Sequence, residues 1–287
     1  MDATLTRHRF RAMGTDVELL VEADGAARSL AAAEEEFHRL EALLTRFRPE
    51  SELSQLNATG SIAAGPDLLR VVELALAARE RTGGRFDITV HDALLAAGYD
   101  RSFELLSSDD ARPAGPAPCS RGHVAIADDV ISLHGGARID LGGIGKGYAC
   151  ERAAEILATA GPCLVNAGGD IATRDGVWTV AVETPDGPLA LELSGSCALA
   201  TSGRDSRRWR RAGRELHHII DPATGEPSSS DLLRVTVVAR DAVEAEVTAK
   251  ALFLAGSDAA RREADELSIP AVLVTESGRT ITAGGLA

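Results

Sequence analysis

Residues 139–157 read IDLGGIGKGYACERAAEIL. Ile139–Leu141 has the apolar character of a strand, four glycines follow within six residues, and the rest has helical spacing. Glycines before a helix allow backbone N–H groups to converge at the helix start, where an anion binds favourably. We therefore interpret the stretch as a strand, an anion-binding turn and a helix. A tight turn with no ligand is the alternative.

The GGIGKG segment is neither of the two common phosphate motifs. It lacks the Ser or Thr that follows the lysine of a P-loop, and it lacks the glycine spacing of a dinucleotide fingerprint. The segment alone therefore does not identify the ligand.

The bulk properties describe a protein with 287 residues, 3% aromatic residues and a formal net charge of −13. This length can form one domain or two intertwined lobes, and the proline-bearing stretch 107–118 is predicted to be a surface loop or a boundary between lobes. The negative charge argues against nucleic acid as a partner. The basic segment RDSRRWRR, residues 204–211, is interpreted as a solvated loop that carries Trp209.

The cysteines and the apolar segments indicate the cellular compartment. No CxxC spacing occurs, so we expect reduced, mostly buried thiols rather than a disulfide framework. The cysteines are Cys119, Cys150, Cys163 and Cys197. The N-terminal residues lack the apolar core of a secretion signal, and no stretch approaches the roughly 18 apolar residues of a membrane span. We expect a cytoplasmic protein without a transmembrane segment.

The first 84 residues predict one strand and two helices. Residues 8–23 read as a strand that is bent at Met13–Gly14. Apolar residues at intervals of three or four predict an amphipathic helix from Leu30 to Leu44. A second helix starts near Pro66 and stops at Gly83–Gly84. The intervening RFRPESELSQLN, residues 46–57, is predicted to be a loop.

The remainder mixes strands and helices without a regular βαβ alternation. HVAIADDVISLHGG, residues 123–136, predicts two strands around an Asp-Asp turn. Further strands are predicted at Cys163–Val165, Val177–Glu183, Leu189–Leu193, Arg234–Ala239 and Ala271–Val274, with helices at 146–160, 241–255 and 257–267. The predicted fold class is α+β with antiparallel pairing rather than a doubly wound sheet.

Five short stretches are rich in Gly, Asp, Asn, Thr or His where loops are expected, and catalytic groups commonly lie on such loops. They are GGRFDITV (83–90), DLGGIGKGY (140–148), NAGGD (166–170), ATSGR (200–204) and HIIDPATGEP (218–227). In this order, together with AMGT near the start and the helix at 241–255, they resemble the FAD:protein FMN transferase family, also called the ApbE family. The resemblance covers nearly the whole chain.

The resemblance implies a fold and an activity. The fold would be a single ApbE-like, T-fold-related catalytic domain over residues 1–287, with mixed, largely antiparallel sheets and packed helices. Members bind FAD and transfer its FMN half to a Thr or Ser hydroxyl of a target protein, releasing AMP. Catalysis of such a phosphoryl transfer rests on positioning and on neutralising charge at the pyrophosphate. By resemblance, the quoted stretch would hold that pyrophosphate.

The resemblance also assigns roles to individual residues. His218 would be the base that accepts the proton of the incoming hydroxyl, since an imidazole can titrate near neutral pH, while the adjacent His217 would face away. The residues implied to bind FAD are Met13, Phe47, Arg85, Phe86, Asp87, Asp140, Lys146, Asn166, Asp170, Thr201 and Ile220. Each of these also has an ordinary alternative in core packing, a helix end or a turn.

The magnesium site of the family is altered in this sequence. Its ligands would be the Gly143 carbonyl and two helix positions that are occupied here by Glu246 and Lys250. An ammonium group donates hydrogen bonds and does not coordinate a cation. Three interpretations stay open: an exposed Glu246–Lys250 pair, a Lys250 ammonium that neutralises a phosphate in place of the metal, or a shifted Mg²⁺ held by Glu246, Gly143 and waters with Thr248 nearby.

Two other functions compete with FMN transfer. The altered ligand pair is compatible with an FAD carrier or regulatory protein that has lost transfer. An oxidoreductase that uses bound flavin is a third reading, although no nicotinamide site is recognisable. The sequence names neither the acceptor protein nor the oligomeric state, and it leaves open a side activity of FAD hydrolysis.

Overall fold

The structure is a computed structural model that describes residues 4–106, 109–110 and 122–286, with the side chains of 109–110 not included. Cys119 and most of the stretch 107–118 lie outside the described residues, so the boundary expected there stays a prediction. The chain forms two units. The first unit comprises Met1–Glu41, Ile144–Ser202 and Asp231–Ala287, and the second comprises Ala42–Gly143 and Gly203–Ser230.

The first unit is built on an eight-stranded sheet. Its strands, in spatial order, are β1 (Leu5–Ala12), β2 (Thr15–Glu22), β7 (Cys163–Ala167), β8 (Asp170–Arg174), β11 (Ala198–Gly203), β14 (Leu232–Ala239), β15 (Ala271–Thr275) and β16 (Thr280–Ala283). The pairs β1–β2, β2–β7, β7–β8, β8–β11, β14–β15 and β15–β16 are antiparallel. A separate antiparallel hairpin joins β9 (Val177–Val182) and β10 (Leu189–Ser194).

Four helices accompany this sheet: α1 (Ala27–Leu44), α5 (Gly145–Ala158), α6 (Ala242–Ala255) and α7 (Ser257–Leu267). Their apolar residues fill the core, where Phe37, Leu157 and Phe253 are 0% exposed. Asp241 caps α6, because its side chain accepts a hydrogen bond from the Glu244 N–H at 2.8 Å. Apart from the single strand predicted at residues 8–23, the predicted strands and helices of this unit are confirmed, with ends that shift by a few residues.

The predicted bend at Met13–Gly14 is wrong, because these two residues form the turn of a hairpin. Ala12 pairs with Thr15, so β1 and β2 are separate antiparallel strands. Met13 and Gly14 have φ angles of 51° and 67°, and two successive positive φ values give a hairpin turn whose twist matches that of the strands. The Met13 N–H donates to Glu41 Oε1 at 2.9 Å, which holds the turn on α1.

The second unit contains short helices and two three-stranded sheets. Its helices are α2 (Glu52–Thr59), α3 (Pro66–Arg81), α4 (His91–Ala96) and the 3₁₀ turn Phe103–Leu105. One sheet has the order β3 (Ser61–Ala63), β6 (Val130–His134), β5 (His123–Ala127), and the other has the order β13 (Arg214–His217), β12 (Arg208–Arg211), β4 (Asp109–Asp110). The hairpin predicted at residues 123–136 and the helix predicted from Pro66 are confirmed.

The segment predicted as a loop at residues 46–57 contains the helix α2. Ser51 caps this helix by accepting a hydrogen bond from the Ser54 N–H at 3.0 Å. Leu53 and Leu56 lie one turn apart and are 1% and 0% exposed. Burial of this apolar pair, together with the serine cap, stabilises a helix in a segment whose proline and polar residues indicate a loop.

Ile139–Leu141 is not a strand, in contrast to the prediction. The side chain of Asn57 binds both polar groups of the Ile139 backbone at 2.8 Å, donating to its carbonyl and accepting from its N–H. The Asp140 N–H donates to the Ile88 carbonyl at 2.8 Å. These bonds satisfy the backbone of the segment without a neighbouring strand.

The basic segment 204–211 is not a solvated loop around Trp209. Its second half is β12, which pairs with β13, and Trp209 is 6% exposed. The indole Nε1 donates to the Ala97 carbonyl at 2.9 Å. The tryptophan therefore belongs to the core of the second unit, where it packs with Leu94 and Leu216.

None of the helices in the described part of the chain is long and apolar enough to cross a membrane.

Candidate functional site

The first unit contains a buried cluster of one lysine and two carboxylates. The ammonium group of Lys146, in the first turn of α5, contacts Asp170 Oδ2 and lies 3.0 Å from Glu246 Oε1. Asp170 and Glu246 are 1% and 3% exposed. A buried carboxylate requires a partner of opposite charge, so Lys146 is the group that makes this arrangement stable.

Glu246 also occupies the start of helix α5. Its Oε2 accepts a hydrogen bond from the Gly147 N–H at 2.9 Å. A Cβ atom on Gly147 would lie 2.5 Å from the carbonyl oxygen of Ala242, so glycine is what allows α5 and α6 to approach this closely. A carboxylate of the protein itself thus occupies this helix start, and binding of a pyrophosphate there stays a prediction.

The charges of the cluster shift its pKa values. Burial lowers the pKa of Lys146, but the carboxylates of Asp170 and Glu246 raise it more, so the net pKa lies above its ordinary value. Burial raises the pKa of Asp170 to about 6, although the ammonium groups of Lys146 and Lys250 oppose this shift. Asp170 is thus more easily protonated when folded than when unfolded.

We expect Asp170 to make stability depend on pH below neutrality. Because the pKa of Asp170 is higher in the folded than in the unfolded protein, unfolding releases a proton between pH 4 and 6. The contribution of Asp170 to the unfolding free energy is therefore largest at low pH and is lost as the pH rises through about 6. The unfolding free energy of the unmodified protein should fall more steeply over this interval than that of Asp170→Asn, by up to about 1.4 kcal/mol per pH unit. Urea unfolding at a series of pH values measures the difference.

Asp16→Asn is the matched control for this prediction, because the Asp16 side chain is 92% exposed. Its pH dependence should match that of the unmodified protein. Identical slopes in all three proteins would show that Asp170 titrates as an ordinary carboxyl group.

The chain contains two lysines among 30 basic residues, and these are Lys146 and Lys250. Both act on Asp170, since Lys146 contacts it directly and the charge of Lys250 lowers its pKa. A lysine ammonium is a compact point charge, whereas the guanidinium used elsewhere in this chain is a broad planar group. Lys146 thus brings a compact positive charge to the two carboxylates.

The cluster does not fit a magnesium ion in its present arrangement. Both oxygens of Glu246 are engaged by Lys146 and Gly147, and the second family position carries the Lys250 ammonium. Among the side chains that the structure describes, no group of three His, Cys, Asp or Glu residues is placed to hold a metal. Gly143, the third predicted ligand, is a half-buried residue of the turn before α5.

Three further predicted residues lie in the first unit. Asn166 accepts a hydrogen bond from the Gly169 N–H at 2.9 Å and contributes, with Arg9 and Asp16, to an open groove of about 540 Å³. The Thr201 hydroxyl lies 2.9 Å from that of Thr236. Met13 is the hairpin residue described above. The structure thus brings Lys146, Asp170 and Glu246 together, while Asn166, Thr201 and Met13 have local partners.

In the second unit, Asp140 lies beside a buried arginine. Asp140 Oδ2 is 2.7 Å from Arg46 Nε, and Asp140 Oδ1 accepts a hydrogen bond from the Gly142 N–H at 2.9 Å. The guanidinium carbon of Arg46 lies 4.2 Å from the ring centre of Phe47 and 4.7 Å from that of Tyr99. Phe47 is 38% exposed, so an aromatic face is available to a ligand next to this charge pair.

The run Arg85–Asp87 has structural partners. Phe86 is 2% exposed and belongs to the core. Asp87 accepts hydrogen bonds from the N–H and the hydroxyl of Thr89 at 2.8 Å, and it pairs with Arg79 at 3.0 Å. Arg85 Nε donates to the Thr82 carbonyl at 3.2 Å. A role of these residues in FAD binding stays a prediction.

The two adjacent histidines differ in their surroundings. His217 is buried, its Nε2 donates to the Ser228 carbonyl at 3.0 Å, and its Nδ1 accepts from the Ile219 N–H at 3.3 Å. Burial lowers the pKa of His217, which favours the neutral ring. His218 is half-buried, with Nδ1 3.4 Å from the Arg207 carbonyl. His217 is therefore structural, and Ile220, 5% exposed, packs in the core.

Sequence reasoning missed Arg46 and Tyr99. Arg46 stands next to Phe47 in a segment interpreted as a loop, and an arginine in a polar segment is normally solvated. Tyr99 follows α4 and contributes to the aromatic row with Phe47 and Trp209, at ring-centre distances of 5.9 Å and 5.5 Å. The low aromatic content could have pointed to Tyr99. In a chain with so few aromatic residues, these residues are expected to pack against one another.

The fold is of the α+β class. Its first unit contains a lysine–carboxylate cluster at a glycine-rich helix start, and its second unit contains an exposed aromatic ring beside a buried arginine. The chain belongs to the ApbE family, whose model matches residues 13–273.

Comparison with individual proteins agrees with this assignment. The chain is 29% identical to the FAD:protein FMN transferase of Treponema pallidum, over 80% of this chain and 73% of that protein. It is 28% identical to the protein of the same name from Vibrio cholerae, over 82% of this chain and 75% of that protein. The crystal structure of the ApbE protein from Thermotoga maritima superposes with a TM-score of 0.86, at 26% identity, covering 98% of this chain and 97% of that one.

Proposed function

We propose that this chain is an FAD:protein FMN transferase, which moves the FMN part of FAD to a Thr or Ser hydroxyl of an acceptor protein. The observation that carries the proposal is the similarity, over about four fifths of the chain, to transferases of that name. The buried lysine–carboxylate cluster at the glycine-rich helix start supports it, because a lysine fixed at such a position suits a pyrophosphate.

The proposed reaction is a displacement at phosphorus. The acceptor hydroxyl oxygen forms a bond to the FMN phosphorus, and the anhydride bond between the two phosphates breaks, so that AMP leaves with the bridging oxygen. His218 accepts the hydroxyl proton. A proton on Nδ1, donated to the Arg207 carbonyl, makes Nε2 the basic nitrogen. The remaining predicted FAD residues keep the roles that the family resemblance gives them.

The deciding experiment measures both products. The protein is incubated with FAD, Mg²⁺ and a panel of small domains that carry an exposed threonine. AMP should accumulate while one domain gains the mass of FMN. FAD retention without either product would favour the carrier or regulatory alternative, and AMP without a heavier acceptor would show hydrolysis instead of transfer.

For the metal, we propose that the Lys250 ammonium supplies the positive charge that Mg²⁺ supplies in relatives with an intact ligand pair. Lys250 lies one helical turn after the buried Glu246, at the second ligand position of the family, which supports this assignment. If Mg²⁺ were bound, it would neutralise charge on the pyrophosphate. The residues that could hold it are Glu246, Gly143 through its carbonyl, and Thr248. Glu246 would first have to lose its hydrogen bonds with Lys146 and Gly147.

We expect FAD affinity to be insensitive to a chelator and sensitive to Lys250. Lys250→Ala should raise the Kd of FAD about tenfold, since it removes one charge near the pyrophosphate, whereas excess EDTA should leave the Kd of the unmodified protein unchanged. Flavin fluorescence titration measures both. Arg262→Ala, in the exposed part of α7, is the control. If EDTA weakened FAD binding while Lys250→Ala bound FAD normally, a metal ion rather than Lys250 would be the cation that neutralises the pyrophosphate.

A further inference from the structure

The buried guanidinium of Arg46 lacks one expected hydrogen bond. Its side chain is 5% exposed, and Nε is bound to Asp140. Nη2 is buried and has no hydrogen-bond partner among the residues that the structure describes. Buried polar groups in native proteins are nearly always paired, and a charged donor left without a partner is more costly than a neutral one. This donor can therefore take an acceptor that a ligand supplies.

The surroundings of Arg46 define what that acceptor can be. The rings of Phe47 and Tyr99 pack against the guanidinium of Arg46, with their centres 4.2 Å and 4.7 Å from its central carbon. The N–H groups of the guanidinium lie in its plane, so they point along its edge. Asp140 already balances the positive charge. A neutral oxygen acceptor is consequently favoured over a second full negative charge.

Phe47 is the exposed neighbour of this guanidinium. This ring is 38% exposed although it packs against a charge pair that is almost fully buried. A flat ligand that stacks on or displaces Phe47 would bring its own edge to the guanidinium. Aromatic faces with a hydrogen-bond donor at the rim are suited to a flat heterocycle that carries carbonyl oxygens.

Both side-chain oxygens of Asp140 have partners within the chain. One of its oxygens is bound by Arg46 and the other by the Gly142 N–H. A Cβ atom on Gly142 would lie 3.0 Å from Asp140 Oδ1, which shows how closely the turn encloses the carboxylate. Asp140 therefore orients Arg46, and Arg46 presents the free donor.

We propose that Arg46 binds the flavin ring of FAD, donating from Nη2 to a ring carbonyl oxygen, with Asp140 as its positioning residue. The proposal rests on the proposed function insofar as FAD is the ligand, and it adds a contact that the sequence did not indicate. It concerns binding and orientation of the flavin, so it can be tested whether or not transfer is observed.

The test compares Arg46→Met with Arg48→Met, an exposed arginine two positions along the chain. Arg46→Met should raise the Kd of FAD about 10- to 100-fold, the value of one or two hydrogen bonds from a charged donor. The Kd of ADP, measured by competition, should stay within about twofold because ADP has no flavin. Arg48→Met should change neither.

The reduction potential of the bound flavin supplies a second readout that a purely structural role would not affect. A cation that donates to a ring carbonyl stabilises the reduced, more electron-rich ring, so the potential should fall in Arg46→Met and recover partly in Arg46→Lys. If Arg46→Met fails to fold, the Lys variant is compared with the unmodified protein. If Arg46→Met raised the Kd of FAD and of ADP equally, Arg46 would contact the pyrophosphate and not the flavin ring, which would overturn the proposal. An unchanged reduction potential would overturn it as well. Failure of the transfer assay alone would leave these results intact.

Discussion

Replacing Lys146 with methionine is expected to lower the unfolding free energy by about 3–5 kcal/mol at pH 7.5 and to remove measurable FAD binding. The substitution keeps the length of the side chain but leaves Asp170 and Glu246, 1% and 3% exposed, without the cation that contacts both of them. Two buried carboxylates of like charge then oppose each other. Chemical denaturation and flavin fluorescence titration measure the two effects.

The double variant Lys146→Met/Asp170→Asn separates stability from binding. Removing one carboxylate relieves the unpaired charge, so part of the lost stability should return. FAD affinity should not return, because the lysine charge is still missing. If Lys146→Met has the same unfolding free energy as the unmodified protein, the ion pairs of Lys146 with Asp170 and Glu246 do not stabilise the fold. If the double variant regains FAD binding, Lys146 supports the fold and makes no contact with FAD.

Replacing His218 with glutamine is expected to lower the rate of AMP release with an acceptor by about 10²- to 10⁴-fold, the usual contribution of a general base. FAD affinity should change little, because the proposed role of His218 begins when the hydroxyl attacks. Single-turnover measurement of AMP and of the flavin-bearing acceptor gives the rate, and fluorescence titration gives the affinity.

His217→Gln is the matched control, since it removes the adjacent imidazole. Both ring nitrogens of His217 have backbone partners, so this variant should lower the unfolding free energy while the rate per folded molecule stays near that of the unmodified protein. A large rate loss in His217→Gln with a normal rate in His218→Gln would reverse the assignment of the base.

The sequence predicted the elements with strong periodicity. The helix α3 begins at Pro66 and ends just before Gly83–Gly84, and the hairpin of β5 and β6 forms around Asp128 and Asp129, because each is punctuated by residues with defined backbone preferences. The α+β class followed from the irregular order of such elements, and family membership followed from the five polar stretches.

The errors arose where long-range contacts override local preference. α2 forms because Leu53 and Leu56 are buried, and Ile139–Leu141 is held by the Asn57 side chain, 82 positions away from Ile139. Neither contact is visible in a local pattern. Among the site residues, the sequence identified Lys146, Asp170 and Glu246, but it could not show that Glu246 binds the Gly147 N–H.

Because the sequence has two lysines, Lys146 and Lys250, isotope labelling of lysine is selective for these two side chains. Expression with lysine labelled with ¹³C and ¹⁵N would make these two side chains visible by NMR. Each signal would report the ionisation of its own ammonium group as FAD, AMP or Mg²⁺ is added. The scarcity of lysine thus makes the cluster observable by spectroscopy without any substitution in the chain.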